Sequence, residues 1–409
     1  MSDKGGREER QKIRRMVLEQ IPSDSELQER QLLQLIDENI RRAGGENYLR
    51  FGDRKKLRTN IYNSMRRLDV LQELLEDENI TEIMVNGPEH IFIEQKGRMM
   101  ETGLIFDSHE RLGDIAQQIA SQGNRIVNET NPILDVRLAD GSRVNIVMPP
   151  IALEGPVITI RKFPKDPLTM SKLTDMGALT EEAAEVLRKL VEAKYNIFIS
   201  GGTGAGKTTF LNILSNYIPG DERIITIEDS AELQIKRVKN LVRLEARNAN
   251  VEGKNQVTIR DLMKSALRMR PDRIVVGEIR DATAIDMLTA MNTGHDGSLS
   301  TGHANSPGDM LNRLETLVLM GMEIPLEAVR QQIASAIDII VHLGRLRDKS
   351  RKVLEICEVG QCERGKIGMY PLFRFCEERE QEGKIIGNLK RTEHKLINDD
   401  KCAKAGIQI

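Results

Sequence analysis

The sequence predicts an α/β protein: a parallel-sheet core over about 168–344, preceded by a smaller α+β domain and a charged helical extension. Three observations predict it. From about Leu168 to Gly344, short apolar runs alternate with amphipathic helical patterns, as in a parallel sheet flanked by helices. One of those runs, Ile197 to Ile199, breaks into a glycine loop and then into a helical pattern beginning near Lys207. Upstream, apolar runs separated by turn signals read as a strand meander with two helices.

A chain of 409 residues is expected to divide into two or three domains. Charged residues make up 30% but the net charge is only -2, so no strong field points to nucleic acid or to a membrane surface. Trp is absent and aromatics are 3%, which leaves few stacking platforms for single-stranded bases. No apolar run reaches bilayer length, and the charged first twenty positions show no signal-peptide core. Cys357, Cys362, Cys376 and Cys402 form no C-x-x-C pair; the pattern suits free thiols in a reducing compartment.

Residues 1–67 are rich in Arg, Glu and Gln. Leu32, Leu33, Leu35, Ile36 and Ile40 recur at helical spacing, so an amphipathic helix or small bundle is expected. Arg14-Arg15, Arg41-Arg42 and Arg54-Lys55-Lys56 form either a solvated face or a basic docking surface. Residues 68–163 change texture. Val70 to Leu75 suggest a helix, and Ile83-Met-Val85 and Ile91-Phe-Ile93 are strands around turns. Leu112, Ile115, Ala116 and Ile119 mark a helix capped by Ser108. Leu134 to Leu138 and Arg143 to Val147 form a hairpin around Asp140-Gly141, and Val157 to Arg161 adds a strand. Residues 164–167 read as a Pro-containing linker.

In 168–344, Ala183, Val186, Leu187, Leu190 and Val191 line one face of a helix. Further strands are expected at Ile224 to Ile227, Ile274 to Val276, Ser298 to Ser300 and Ile339 to Val341. Helices fall between them: one around Ile259 to Met269, one from Ala282 to Met291 and one opened by Ser306-Pro307 as N-cap and N1. Residues 345–409 mix charged turns with short β-like runs and are expected to be a small add-on with a loose end.

The chemistry sits in the glycine loop. Gly201 to Thr208 spell G-x-x-x-x-G-K-T, a P-loop between a strand and a helix. Gly201, Gly202, Thr203, Gly204, Ala205, Gly206, Lys207, Thr208 and Thr209 are therefore nucleotide-binding candidates. Small residues let backbone N–H groups turn onto phosphate oxygens at a helix N-terminus. Lys207 can reach the outer phosphates, and the Thr208 hydroxyl can ligate Mg²⁺. An ATP-type ligand with Mg²⁺ is expected. Acids are needed at neighbouring strand ends, and Glu228 and Glu278 have that placement. Glu278 suits Mg²⁺ contact through a water, leaving Glu228 to activate the attacking water. Alternatively, these acids cap nearby loops or pair with Arg270 and Arg280. Arg280 itself joins the nucleotide-binding candidates. His303, after a short strand, is either a γ-phosphate sensor or a structural hydrogen-bonder. No His/Cys metal spacing occurs.

The ordered segments GGTGAGKTT, TIEDSAEL (Thr226 to Leu233), RMRPDRIVVGEIR (Arg268 to Arg280) and STGHANS (Ser300 to Ser306) resemble the Walker A, Asp box, Walker B and His box of the type II/type IV secretion ATPases. The resemblance covers about 68–344. MVNGPEHIFIEQKG, DVRLADGSRVN and the charged extension most resemble the CpaF-type branch of Tad (Flp) pilus assembly. The resemblance implies a RecA-like core and ATP hydrolysis, with Glu228, Glu278, Lys207 and His303 as catalytic residues. It also implies that among Arg137, Arg143 and Arg161 some close on the nucleotide, without saying which. Similar proteins are hexamers that dock on polytopic inner-membrane platform proteins from the cytoplasmic side and act on pilin indirectly. A conjugative or effector-translocating ATPase, or an ATP-dependent binding module without turnover, are the alternatives; a nucleic-acid motor fits the composition least.

Overall fold

The computed structural model describes residues 3–21, 27–44, 51–95, 97–163, 168–247, 249 and 254–409. The chain forms two compact units, Met1–Lys165 and Asp166–Ile409. The expected linker at 164–167 falls outside the described residues. No helix among those described is long and apolar enough to cross a membrane.

The first unit begins with α1 (Asp3–Leu18), α2 (Glu29–Gly44) and α3 (Phe51–Arg66). Ile13, Val17, Leu32, Ile36, Ile40 and Ile61 meet in their own small core, because each helix carries apolar residues every three to four positions. Then follow α4 (Leu71–Glu76), β1 (Ile80–Asn86), β2 (His90–Gln95), β3 (Arg98–Glu101), α5 (His109–Gln122), β4 (Ile133–Arg137), β5 (Arg143–Val147) and β6 (Val157–Arg161). The strands form one sheet in the order β3-β2-β1-β6-β5-β4. Ser108 caps α5, its side chain accepting from Arg111 N at 3.1 Å, and Leu112, Ile115, Ala116 and Ile119 are buried in the same core as the inward residues of the strands.

The second unit contains α6 (Met170–Asp175), α7 (Glu181–Glu192), β7 (Ile197–Gly201), α8 (Lys207–Ser215), β8 (Arg223–Glu228), β9 (Asn240–Glu245), α9 (Ile259–Ala266), β10 (Arg273–Val276), α10 (Thr283–Asn292), β11 (Leu299–His303), α11 (Pro307–Leu319) and α12 (Leu326–Ala336). It closes with β12 (Ile339–Arg345), β13 (Arg351–Glu363), β14 (Lys366–Gln381), β15 (Lys384–Arg391) and α13 (Asp400–Ala405). Its sheet runs β15-β14-β13-β12-β7-β11-β10-β8-β9. From β9 to β12 neighbours are parallel. The central strand β7 is buried at every position, as expected where helices cover both faces. Ser306 caps α11 by accepting from Asp309 N at 3.0 Å, with Pro307 opening the helix.

Residues 345–409 do not hang loose. Strands β13, β14 and β15 extend the same sheet with antiparallel pairing. The C-terminal segment is tied to the base of the sheet: Tyr195 Oη donates to Asn398 O at 2.6 Å, and Lys401 Nζ meets Asp338 at 2.7 Å. The β-like runs seen in the sequence are fragments of these longer strands. Interleaved charges hide the remainder, because the outer strands are exposed on much of their length and carry no uniform apolar pattern. The half-exposed strand β9 also goes unseen in the sequence for that reason.

Candidate functional site

Strand β7 delivers the glycine loop to the carboxyl edge of the parallel sheet. Gly201 is required there by close packing, since a Cβ would lie 2.5 Å from Leu343 O. Gly206 adopts φ 96° as the N-cap of α8, a left-handed conformation that favours glycine. At Gly202 and Gly204 a Cβ would meet nothing within 4 Å, so the loop backbone borders open space. Lys207 is buried, and its Nζ lies 3.1 Å from Gly201 O, 3.0 Å from Gly202 O and 3.1 Å from His303 Nδ1. Burial lowers its pKa below the usual lysine value.

Three neighbouring strands bring the other candidates to the same edge. His303 ends β11 and stands opposite Gly201 in the parallel register. Burial, then the Lys207 charge, lowers its pKa. A lysine ammonium can only donate, so Nδ1 accepts and the ring proton sits on Nε2. That atom lies 3.0 Å from Glu278 Oε1, an ion-pair distance without hydrogen-bond alignment. Glu278 follows β10, and its Oε2 accepts from Arg280 Nη2 at 2.7 Å, while Arg280 also reaches Asp229 at 3.5 Å. Lys207, His303, Glu278 and Arg280 thus form one chain of contacts.

Glu228 ends β8 and is 2% exposed. Its Oε2 accepts from the backbone N–H groups of Glu232 at 2.7 Å and Leu233 at 3.0 Å. Oε1 has no hydrogen-bond partner among the described residues. Burial pushes the Glu228 carboxyl up to about 7, against the lowering effect of those two N–H groups. Gly277 makes room for it, since a Cβ there would lie 3.1 Å from Glu228 Cγ. In this state the acids make the contacts expected of loop-capping and arginine pairing, but Glu228 keeps an oxygen in reserve.

Arg137, Arg143 and Arg161 belong to the first unit. The sheet register aligns them as one row, Arg137 opposite Arg143 and Arg143 opposite Arg161. Their separation in sequence hides that alignment. Arg161 also lies 3.9 Å from Glu82.

Sequence reasoning missed the supports. Asn212 Oδ1 accepts from Gln234 N at 2.7 Å, and Asn216 Oδ1 accepts from Lys236 N at 3.0 Å. Asn216 Nδ2 donates to Gln234 O at 3.1 Å. Asn212 on α8 and Asn216 at its C-cap, one turn apart, thereby carry the segment that follows Glu228, and their i, i+4 spacing is the signal that was present. His342, buried on β12, lies 2.9 Å from Ser200 Oγ beside the loop. Its buried position left no local sequence signal.

The donor set fits a magnesium nucleotide better than a resident metal. Among the described residues no group of three or more His, Cys, Asp or Glu can hold an ion. Mg²⁺ is commonly held by one or two protein oxygens plus substrate phosphates, and Thr208 with Glu278 supplies such oxygens.

A family model described as type II/IV secretion system protein matches residues 65–404. A putative conjugal transfer protein of Mycobacterium tuberculosis is 36% identical over 300 residues, covering 72% of this chain and 85% of its own. The type IV secretion system protein VirB11 of Bartonella henselae is 31% identical over 329 residues, covering 71% of this chain and 91% of its own. Among solved structures, the pilus retraction motor PilT with bound ADP aligns at a TM-score of 0.52 and 19% identity, covering 83% of this chain and 87% of its own. That likeness concerns the fold, which is of the RecA-like P-loop type.

Proposed function

The chain belongs to the type II/IV secretion system protein family, and on that premise we propose that it hydrolyses ATP to power pilus assembly or secretion at the cytoplasmic face of the inner membrane. One observation carries the reading. Lys207, His303 and Glu278 are linked by contacts of 3.1 and 3.0 Å at the sheet edge where β8 also ends in Glu228.

In this reading the loop from Gly201 to Thr209 cradles the phosphates, and Lys207 exchanges its loop carbonyls for phosphate oxygens. Thr208, and Glu278 through a water, would hold Mg²⁺, which would supply positive charge against the phosphate oxygens. Glu228 takes a proton from the attacking water, whose oxygen bonds to the γ-phosphorus as the bond to the β–γ bridging oxygen breaks. Its elevated pKa near 7 matches a general base working at neutral pH. His303 donates from Nε2 to the terminal phosphate. Arg280 supplies further positive charge beside Glu278. Six copies would form the working ring.

For cargo, we favour a Tad-type pilus machine with polytopic membrane partners, on the resemblance carried by residues 84–97 and 135–145. A second reading, conjugation or type IV secretion, is favoured by what the M. tuberculosis and B. henselae relatives are called. Phosphate release by the Lys207→Ala and Glu228→Gln variants tests the chemistry; undiminished turnover in both sinks it. A pull-down from membranes with Glu228→Gln tests the cargo. Recovery of a pilus platform protein and pilin favours the first reading, and recovery of conjugation-channel components the second.

A further inference from the structure

The hairpin joining β12 to β13 runs against the P-loop, with Leu343 O packed on Gly201. Just beyond, Arg345 and Arg351 are cross-strand partners, and both are exposed. Partners directly opposite in an antiparallel pair share a face and lie close together, where like charges destabilise. That face is turned towards the loop, because Arg351 Cδ comes within 3.8 Å of the position a Cβ on Gly206 would occupy. Gly206 is the N-cap of α8, where backbone N–H groups favour an anion.

The rest of the hairpin is pinned. Arg347 binds Glu377 at 2.7 Å and Glu380 at 2.9 Å. Asp348 accepts from Ser350 N at 2.9 Å and Ile385 N at 2.8 Å. Lys352 Nζ donates to Gly177 O at 2.6 Å. Against these partnered neighbours, the side chains of Arg345 and Arg351 make no ion pair or hydrogen bond among the described residues. Two arginine side chains thus leave one face of a pinned hairpin beside a helix N-terminus. The chemical complement of that arrangement is an anion of more than one charge.

We infer that Arg345 and Arg351 form a second wall of the nucleotide site and bind the diphosphate part of the nucleotide, with Arg351 as the direct contact. The inference rests on reading the P-loop as a nucleotide site, and it assigns substrate-binding residues to strands outside the four sequence motifs. The pair acts on affinity and not on the transfer step, since neither arginine approaches Glu228 or Glu278 in the contact chain described above.

The test is titration of the full chain with a fluorescent ADP analogue, using ADP, AMP and pyrophosphate as competitors. Arg351→Ala is expected to weaken ADP and pyrophosphate by about tenfold, as for loss of a charge-assisted hydrogen bond, with a smaller loss for AMP. Arg351→Lys restores part of the affinity. Arg345→Ala is expected to leave the ligand-free melting temperature unchanged or raised, because repulsion is relieved, while shrinking the ADP-induced shift. Binding of ADP by Arg351→Ala within about twofold of wild type overturns the inference, as does a loss shared equally by ADP and AMP. A lowered ligand-free melting temperature in both alanine variants assigns the pair a structural role and also overturns it. If the wild-type chain itself fails to bind the ADP analogue, the nucleotide reading falls as well.

Discussion

Lys207 Nζ lies 3.1 Å from His303 Nδ1, so the P-loop cation and the end of the neighbouring strand are directly bonded. The bond couples two motifs far apart in sequence through the parallel register that sets His303 opposite Gly201. A phosphate drawing Lys207 away from this position would change the charge facing His303 and, through its Nε2, the charge facing Glu278. The lysine and the histidine therefore report on the same event.

His303→Ala is expected to lower kcat of phosphate release by about 10²-fold, the lower end for a positioned proton donor, with little change in KM. His303→Gln, which keeps a donor, is expected to retain more activity than alanine. Steady-state phosphate release at several ATP concentrations separates the two parameters; a pure KM effect would show that His303 contributes only ground-state binding.

Glu228→Gln is expected to reduce turnover by about 10²–10⁴-fold and to change how stability depends on pH. Burial raises the folded pKa to about 7 from 4.5, so the folded state favours the protonated acid. The stability contributed by that proton is fully present below about pH 4.5 and is lost as pH rises through 7. Wild type should lose up to about 3 kcal/mol from this group across that window, and the glutamine variant should not. Urea denaturation of both proteins at pH 5 and pH 8 checks it: the gap between them must move in favour of the variant at the higher pH.

Asn212→Ala removes the acceptor for Gln234 N and loosens the segment behind Glu228. The expected cost is about 1–3 kcal/mol for a stranded donor, together with a fall in kcat larger than any change in nucleotide affinity. Asn212→Asp preserves the acceptor and should restore most of the turnover. Equal kcat in alanine variant and wild type would mean that the segment holds its position without this bond.

Away from the site, Arg273 is wholly buried and binds Glu222 through two bonds of 2.6 and 2.7 Å. Among the described residues, Arg273→Ala leaves the Glu222 carboxylate with Lys194 at 3.7 Å as its nearby cation. A loss of about 3–5 kcal/mol is expected, as for breaking a buried pair from one side. Chemical denaturation measures it, and a loss below about 1 kcal/mol would class the pair with surface ion pairs.

Much of the fold was legible because it depends on local pattern. Apolar runs such as Ile197 to Ile199 and Ile274 to Val276 are too short for helices and too apolar for exposed strands, so they announce buried parallel strands. Ser108 and Ser306 announce helix starts through chemistry confined to three residues. Strands β13 to β15 were obscured because β14 and β15 are exposed at half their positions, and charges such as Arg374 and Glu355 pair across β13 and β14 without any sequence-local trace.

What the sequence by itself determined is the buried parallel strands with the capped helices between them, and the presence of a phosphate-binding loop flanked by acids, since propensity, periodicity and loop chemistry are short-range. Only the tertiary structure decided which side chains meet. Strand order and register put His303 against Lys207, Arg345 opposite Arg351, and Asn212 beneath the segment that follows Glu228. The burial that pushes the Glu228 carboxyl to about 7 comes from the same packing. Those pairings are non-local, fixed by hydrogen-bond ladders and a shared core rather than by neighbours in the chain, so the loop could be read from its residues and its partners could not.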